Sequence, residues 1–330
     1  MVAVSLTAMI ALSALAVDGG FGFITRNQLQ NIADAAALAG ARKLGSIYEQ
    51  LTLSQQQAYT LNSTDRDAII SYMNAVATQN QAGGIAILIP DDPNVVQIGH
   101  WDGTTFAART SHPDAVHVTA RRDSTANGAL QTFLAGIVGV NQFSVSASST
   151  AALTALKQIA AGQLNCPVGV PKGYASGGSG CTNLVFSGTG ACAGWHTYFE
   201  TPANSNKLKT ILDQLTAGTY PIPTANVGDR FNYTGGQLQS AFSNLQQLYN
   251  AKKNAQGEWN TWIVIYDIDL CSTNPHGAIP IAGFTSATIT GVNDNTVSAR
   301  VNCNVTQTGP GGGGTGGTDG ALGTVPSLVE

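Results

Sequence analysis

The sequence predicts an α+β protein, with an N-terminal transmembrane or stalk helix followed by two mixed α+β domains with antiparallel sheets. Three observations predict it. Residues Met1 to Val17, "MVAVSLTAMIALSALAV", carry no charge, and their helical pattern runs unbroken past Arg26 into an alanine-rich stretch. Beyond residue 51, helical runs alternate with short β-branched segments bounded by turn residues. The five cysteines, at 166, 181, 192, 271 and 303, all fall in the second half of the chain. The expected divisions are 1–50 for the apolar helix and stalk, 51–160 and 161–305 for the two domains, and 306–330 for a Gly-rich linker with an apolar tip.

A chain of 330 residues is long enough for two modest cores. Its 15 Lys and Arg against 19 Asp and Glu leave no basic field, which excludes nucleic acid as a partner. Only 10% of residues are charged, against about 25% in ordinary soluble domains. Ser, Thr, Asn, Gln and Gly fill the polar role, as suits an exported or surface protein.

Counting from Met1 to Thr25 gives a span compatible with the ~20 apolar residues needed to cross a bilayer. There is no basic flank before the apolar run, as a secretory signal would have, so a retained membrane helix is favoured over a cleaved leader. The missing flank leaves orientation unreadable from Lys and Arg, and the gene product is expected to begin upstream of Met1. In "LQNIADAAALAGARKLG" (Leu29 to Gly45) small residues recur at four-residue spacing: Ala33, Ala37 and Ala41, and Ala36 with Gly40. Such spacing lets two helix backbones approach closely, here against another subunit's helix. The competing reading is a plain stalk of the best helix former.

The first domain opens with "NSTDRDAIISYMNAVA", a helix capped at Ser63 or Thr64 and burying Ile69, Tyr72, Met73 and Val76. "GIAILIP" reads as a strand. "VVQIGHWDGTTFA" is a hairpin turning at Asp102-Gly103, and "DAVHVTARR" a half-buried strand. Asn127 is expected to cap a helix that buries Phe133, Leu134, Ile137 and Val138, and "NQFSVSASSTAAL" reads as another strand.

In the second domain, two amphipathic helices bury Leu208, Ile211, Leu212 and Leu215, and then Leu238, Phe242, Leu245 and Tyr249. The first is stopped by Gly218. Three strands follow: "TWIVIYDID", "GAIPIAGFTSATITGV" and "TVSARVNCNV". With no CxxC pair and no His at zinc-ligand spacing, no metal is expected. In an exported chain the cysteines read as two disulfides and one free thiol. The pairing suggested by the loops is Cys181–Cys192 and Cys271–Cys303, although four cysteines allow three connectivities and any of the five can be the odd one. From Gly309 a flexible linker leads to Leu322, Val325, Leu328 and Val329. This tip is read either as a docking strand, for a neighbouring subunit, or as a disordered tail.

Titratable groups do not converge. His196 beside Trp195 is the best candidate base, but no nucleophile lies at a recognisable spacing. His117 reads as solvated or partnered. Asp267 and Asp269 read as a solvated strand edge rather than a calcium site. There is no GxSxG, HExxH or P-loop, so neither catalysis nor a cofactor is expected.

"ALAVDGGFGFITRNQLQNIADAAALAGARKL" resembles the amino-terminal signature of TadE/TadG-like proteins of tight-adherence (Flp) pilus systems. There an apolar helix runs into an Asp-Gly pair, an Arg/Gln/Leu-Gln-Asn segment and "ADAAALAGA". The order hairpin, "AVHVTARR", "FLAGIVGV", "FSVSASSTA" extends the likeness to about residue 155, and "VGDRFNYTGG" and "IAGFTSATITGV" are similar to pieces of longer TadG-like proteins. Ser5 stands where type IV pilins typically carry Glu. The resemblance implies a pilin-like, membrane-anchored structural protein, a minor or major subunit or assembly component of a tight-adherence pilus. Its expected partners are copies of itself or other pilins, the secretion and pilus assembly machinery, and the membrane. The alternative is a helix-anchored surface adhesin that uses its ectodomain.

Overall fold

The computed structural model describes residues 2–52, 55–56, 58–172, 174, 184, 186, 193–235, 239–268, 276–293, 296–302, 306–307 and 321–329. It divides into two compact units: residues 1–51, 58–153 and 326–330 form the first, and residues 52–57 and 154–325 the second. The architecture is mixed α+β, with sheets whose neighbouring strands are mostly antiparallel. Cys181, Cys192, Cys271 and Cys303 lie outside the described residues, and so does Leu238. Cys166 is buried and free.

The first unit is built on helix α1 (Val2–Glu49). Helix α2 (Ser63–Ala77) is capped by Asn62, whose side chain accepts from the Asp65 backbone N–H, one residue before the expected cap. It buries Ile69, Ile70, Met73 and Ala77, while Tyr72, read from the sequence as core, is 48% exposed. The sheet runs β1 (Val96–Trp101), β2 (Phe106–Ala108), β3 (Ala115–Arg122) and β4 (Val145–Ala155), in spatial order β4-β3-β1-β2 with every neighbour antiparallel. The hairpin turns at Asp102, whose carboxylate accepts from the Thr104 and Thr105 N–H groups and the Thr105 hydroxyl, with Gly103 at positive φ. In β3, Val118 and Ala120 are buried between partly exposed neighbours, and Ala115 and Val116 are both buried, so the alternation of a half-buried strand sets in after Val116.

"GIAILIP" does not make the expected strand. Only Ile85–Ala86 ladders, with Gln81–Ala82. Farther on, side-chain amides replace a strand partner: Asn74 accepts the Ile89 N–H and donates to its carbonyl. Asn127 does the same for Leu88. A buried backbone needs partners, and here two asparagines supply them.

The second unit contains β5 (Val168–Pro171), β6 (Gly194–His196), helix α3 (Ser205–Ala217), β7 (Arg230–Gly235), helix α4 (Gln239–Lys252), β8 (Trp259–Tyr266), β9 (His276–Asn293) and β10 (Thr296–Val301). Strand order is β7-β6-β5-β8-β9-β10, and the first half of β9 returns to pair with β7, closing five strands on themselves. Only β5–β8 is parallel among these pairs. Two glycines permit the closed interior. A Cβ on Gly194 would lie 2.1 Å from the Tyr233 hydroxyl, and one on Gly169 would lie 2.3 Å from Cε2 of Tyr266. On the other face Trp195 meets Phe186 and Phe242 of α4. Helix α3 buries Leu208, Ile211, Leu212 and Leu215 and ends at Gly218 with φ 71°, the left-handed turn that glycine tolerates best.

Two short strands close the chain: β11 (Thr306–Gln307) lies parallel to β12 (Leu322–Leu328). The tip therefore takes a strand position within its own chain, beside β4. The Val329 N–H donates to the Thr150 carbonyl.

Candidate functional site

The feature that separates this chain from an ordinary α+β protein is α1, whose surroundings change along its length. In its upper part the inward residues follow helical spacing: Gly22, Thr25, Leu29, Ile32, Ala33, Ala36, Ala37, Gly40, Ala41, Leu44 and Tyr48 are all buried. Helix α2 and strand β3 cover them. The alanines and Gly40, read as candidates for packing against another subunit, thus have partners within their own unit. Gly40 shows why small residues stand here, since an added Cβ would lie 2.9 Å from Sδ of Met73 and 3.1 Å from Cγ1 of Val116. Polar contacts fix the helix along the same face. Gln28 accepts the Gly83 N–H, Gln30 donates to the Ser148 carbonyl, and the Tyr48 hydroxyl donates to the Pro113 carbonyl.

Between about one and a half and three turns below Leu29 is "DGGFGF". Asp18, the only charged residue before Arg26, points back into the unit. Its carboxylate accepts the backbone N–H groups of Phe133, Leu134 and Ala135 at 2.7, 3.1 and 2.7 Å. These lead into a single 3-10 turn, Ala135–Val138, ended by Gly139 at φ 89°. Phe21 meets the Phe133 ring edge-on at 5.3 Å. A Cβ on Gly22 would lie 2.7 Å from the Phe143 ring, so only glycine lets that ring sit against the helix.

The consequence reverses the expectation for this segment. Of the residues read as the buried face of a helix, Phe133 is 65% exposed and Ile137 69%, on a short turn lifted toward solvent, and the neighbouring Val140 is 50% exposed. On α1 at the same height, Phe23 and Ile24 are 65% and 57% exposed, followed downward by Val17 and Leu12. These residues form an apolar collar at the level where α1 extends below its unit. The sequence signal for it was the lack of charge, since no Asp, Glu, Lys, Arg or His occurs between Ser124 and Leu156. Among the described residues no helix is long and apolar enough to cross a membrane, so the span counted to Thr25 is not found there. From Asp18 onward the helix is engaged by its own unit.

At the carboxyl terminus, Leu322 is partly buried in β12, Val325 and Leu328 are 41% and 43% exposed, and Gly323 and Thr324 are buried. Of the apolar tip residues, Val325 and Leu328 are thus on the surface, while Leu322 and Val329 are partly buried.

His196 is wholly enclosed among Tyr198, Phe231 and Tyr266. Desolvation pushes its pKa down to about 3 against the opposing pull of a backbone hydrogen bond to Cys166. A neutral imidazole sealed from solvent is a packing residue and cannot meet a substrate. His117 bonds the Thr150 hydroxyl and stacks on Phe106. Asp267 pairs with Lys172 at 2.8 Å, and Asp269 lies outside the described residues. Among the described residues no group of three or more His, Cys, Asp or Glu is placed to hold a metal ion.

Residues 1–43 match the family model described as putative Flp pilus-assembly TadE/G-like, and residues 25–151 match the model described as putative Tad-like Flp pilus-assembly. No curated protein and no solved structure matches. The matched stretch runs from the start of α1 through its buried stalk and the collar into β4. Over that stretch the chain is similar to Tad-type Flp pilus-assembly proteins, with the TadE/G-like match confined to residues 1–43.

Proposed function

We propose that this chain is a pilin-like structural component of a tight-adherence pilus system, held at the cell envelope by the lower part of α1 and presenting its two α+β units outward. The observation that carries the reading is the division of α1. Its upper part is an inward-facing core helix of the first unit, while its lower part continues as an apolar helix with Leu12 and Val17 exposed. An uncovered apolar helix needs either lipid or other helices around it. The pilus-assembly family matches over residues 1–151 supply the system in which such a helix has a use.

On this reading the partners are the membrane, other pilins or copies of the chain, and the assembly machinery. Helix contacts between subunits use the lower part of α1, and no reaction is carried out. The experiment is deletion of the gene in the producing cells, complementation with the full chain or with a chain lacking residues 1–17, and electron microscopy of sheared material with mass spectrometry. Pili lost on deletion and restored only by the full chain are the expected outcome. Abundance in ordered filaments would identify a main subunit, and trace amounts beside a small pilin an assembly or tip component. Normal piliation in the deletion strain overturns the proposal.

A further inference from the structure

We infer that the apolar collar formed by Phe23 and Ile24 of α1 with Phe133, Ile137 and Val140 of the 133–140 turn is a lipid-docking surface, seating the first unit directly on the bilayer. The inference rests on the envelope-anchored reading above and adds to it a second point of membrane contact, far from the helix in sequence.

Four observations converge on lipid rather than on a second protein as the occupant. First, the collar is continuous with the apolar run from Val2 to Val17 on the same helix. At 1.5 Å rise per residue, Phe23 and Ile24 stand only about 10 Å above Val17, within the headgroup and acyl boundary that amphipathic elements occupy. Second, the segment is uncharged from Ser124 to Leu156, leaving nothing to choose a charged protein partner. Third, the one charge at this level is withdrawn. Asp18 is 5% exposed and its carboxylate is occupied by three backbone N–H groups. An anion facing lipid would be costly; here it instead holds the turn that carries Phe133 and Ile137 outward. Fourth, the first basic residue, Arg26, is exposed less than one turn above Phe23, where a guanidinium reaches phosphate while the apolar residues below it lie deeper.

The arrangement also explains residue choices that folding alone does not. Burial of Phe133 and Ile137 was available to an amphipathic helix in this segment. A 3-10 turn pinned by Asp18 gives up that burial and places both side chains on the surface. Gly22 admits the Phe143 ring against α1, which holds the base of the turn to the helix.

The test uses the full chain reconstituted into phosphatidylcholine–phosphatidylglycerol vesicles, with one tryptophan added either at the collar, Ile137→Trp, or at an exposed site on α2, Tyr72→Trp. Emission is compared with the unsubstituted chain, in ordinary vesicles and in vesicles with brominated acyl chains. The expected result is that the Ile137→Trp emission shifts to the blue on reconstitution and loses intensity in brominated lipid, while the Tyr72→Trp emission does neither. If the chain floats with the vesicles but the Ile137→Trp emission is as insensitive as that of Tyr72→Trp, the collar inference is overturned and the helix anchor stands. If the chain does not float at all, both fail. A blue shift that follows protein density and ignores bromination assigns the collar to a second copy of the chain and likewise overturns lipid docking.

Discussion

Replacing Gly40 tests whether the small residues of α1 serve the first unit itself. The Cβ of an alanine there would lie 2.9 and 3.0 Å from Sδ and Cγ of Met73 and 3.1 Å from Cγ1 of Val116. Met73 and Val116 are both wholly buried, so neither can swing into solvent. Overpacking of this kind costs about 1–3 kcal/mol, and the better helix propensity of alanine returns about 1 kcal/mol. Gly40→Ala is therefore expected to destabilise by roughly 0–2 kcal/mol. Leucine adds three more carbons to the same space and is expected to cost roughly 3 kcal/mol or more. For a unit of this size that lowers the melting temperature by roughly 6–12 °C.

The controls lie on the same helix. Gly19 and Gly20 have nothing within 4 Å of a built Cβ, so Gly19→Ala and Gly20→Ala should each stabilise by about 0.5–1 kcal/mol from backbone entropy alone. The assay is calorimetry of the full chain in detergent. A second background, Met73→Ala, supplies the coupling. By itself it costs about 2–5 kcal/mol, but it vacates the space that the larger side chain of Gly40→Leu would need. The reasoning is refuted if Gly40→Leu melts at or above the unsubstituted chain, or if it costs the same with Met73 present and absent.

Three further outcomes follow from buried groups. The second unit should lose stability as pH falls below the ordinary histidine value of 6.5, because His196 is held neutral when folded, with its pKa down to about 3, and takes up a proton on unfolding. A depressed pKa of this kind stabilises fully above 6.5 and progressively less below it, at up to about 1.4 kcal/mol per pH unit; denaturant midpoints from pH 7 to 4 measure it, and His196→Phe should flatten the slope. Asn74→Ala should destabilise the first unit by about 1–3 kcal/mol, because it strands the N–H and carbonyl of Ile89, and urea unfolding reads this directly. Cys166, wholly buried with its thiol pushed up to about 12 by desolvation, should resist iodoacetamide in the native chain and react only on unfolding; mass mapping of the adduct decides.

Much of the fold was legible because the elements concerned carry local signals. The hairpin at Asp102-Gly103, the alternation in Ala115–Arg122 and the Leu208, Ile211, Leu212, Leu215 stripe each follow from turn chemistry or periodicity within a few residues. Where the reading departed, the deciding partner was distant. "GIAILIP" has the composition of a strand, but Asn74 and Asn127 satisfy its backbone from elsewhere in the chain. The 133–140 segment has the pattern of an amphipathic helix, but Asp18 takes up three of its first backbone donors from more than a hundred residues away. The collar could have been suspected from its missing charges. Its height on the helix could not, because that is set by which turn of α1 meets Phe133 and Phe143.

The same geometry constrains how subunits could meet. Small residues at four-residue spacing suggest one helix seated on another, but Ala33, Ala37, Gly40 and Ala41 are fully buried beneath the chain's own α2 and sheet. To offer them to a neighbour, the unit would have to release Leu29, Ile32, Leu44 and Ile47 from the same face, all buried. Exposing four such side chains costs roughly 6–12 kcal/mol, comparable to the whole stability of a domain. On the function proposed above, close helix contact between subunits is expected lower on α1, in the apolar run ending at Val17. A bulky substitution at Gly40 should then reduce piliation only as far as it unfolds the unit, whereas one on the exposed lower helix, at Leu12 or Val17, should reduce it with the melting temperature unchanged.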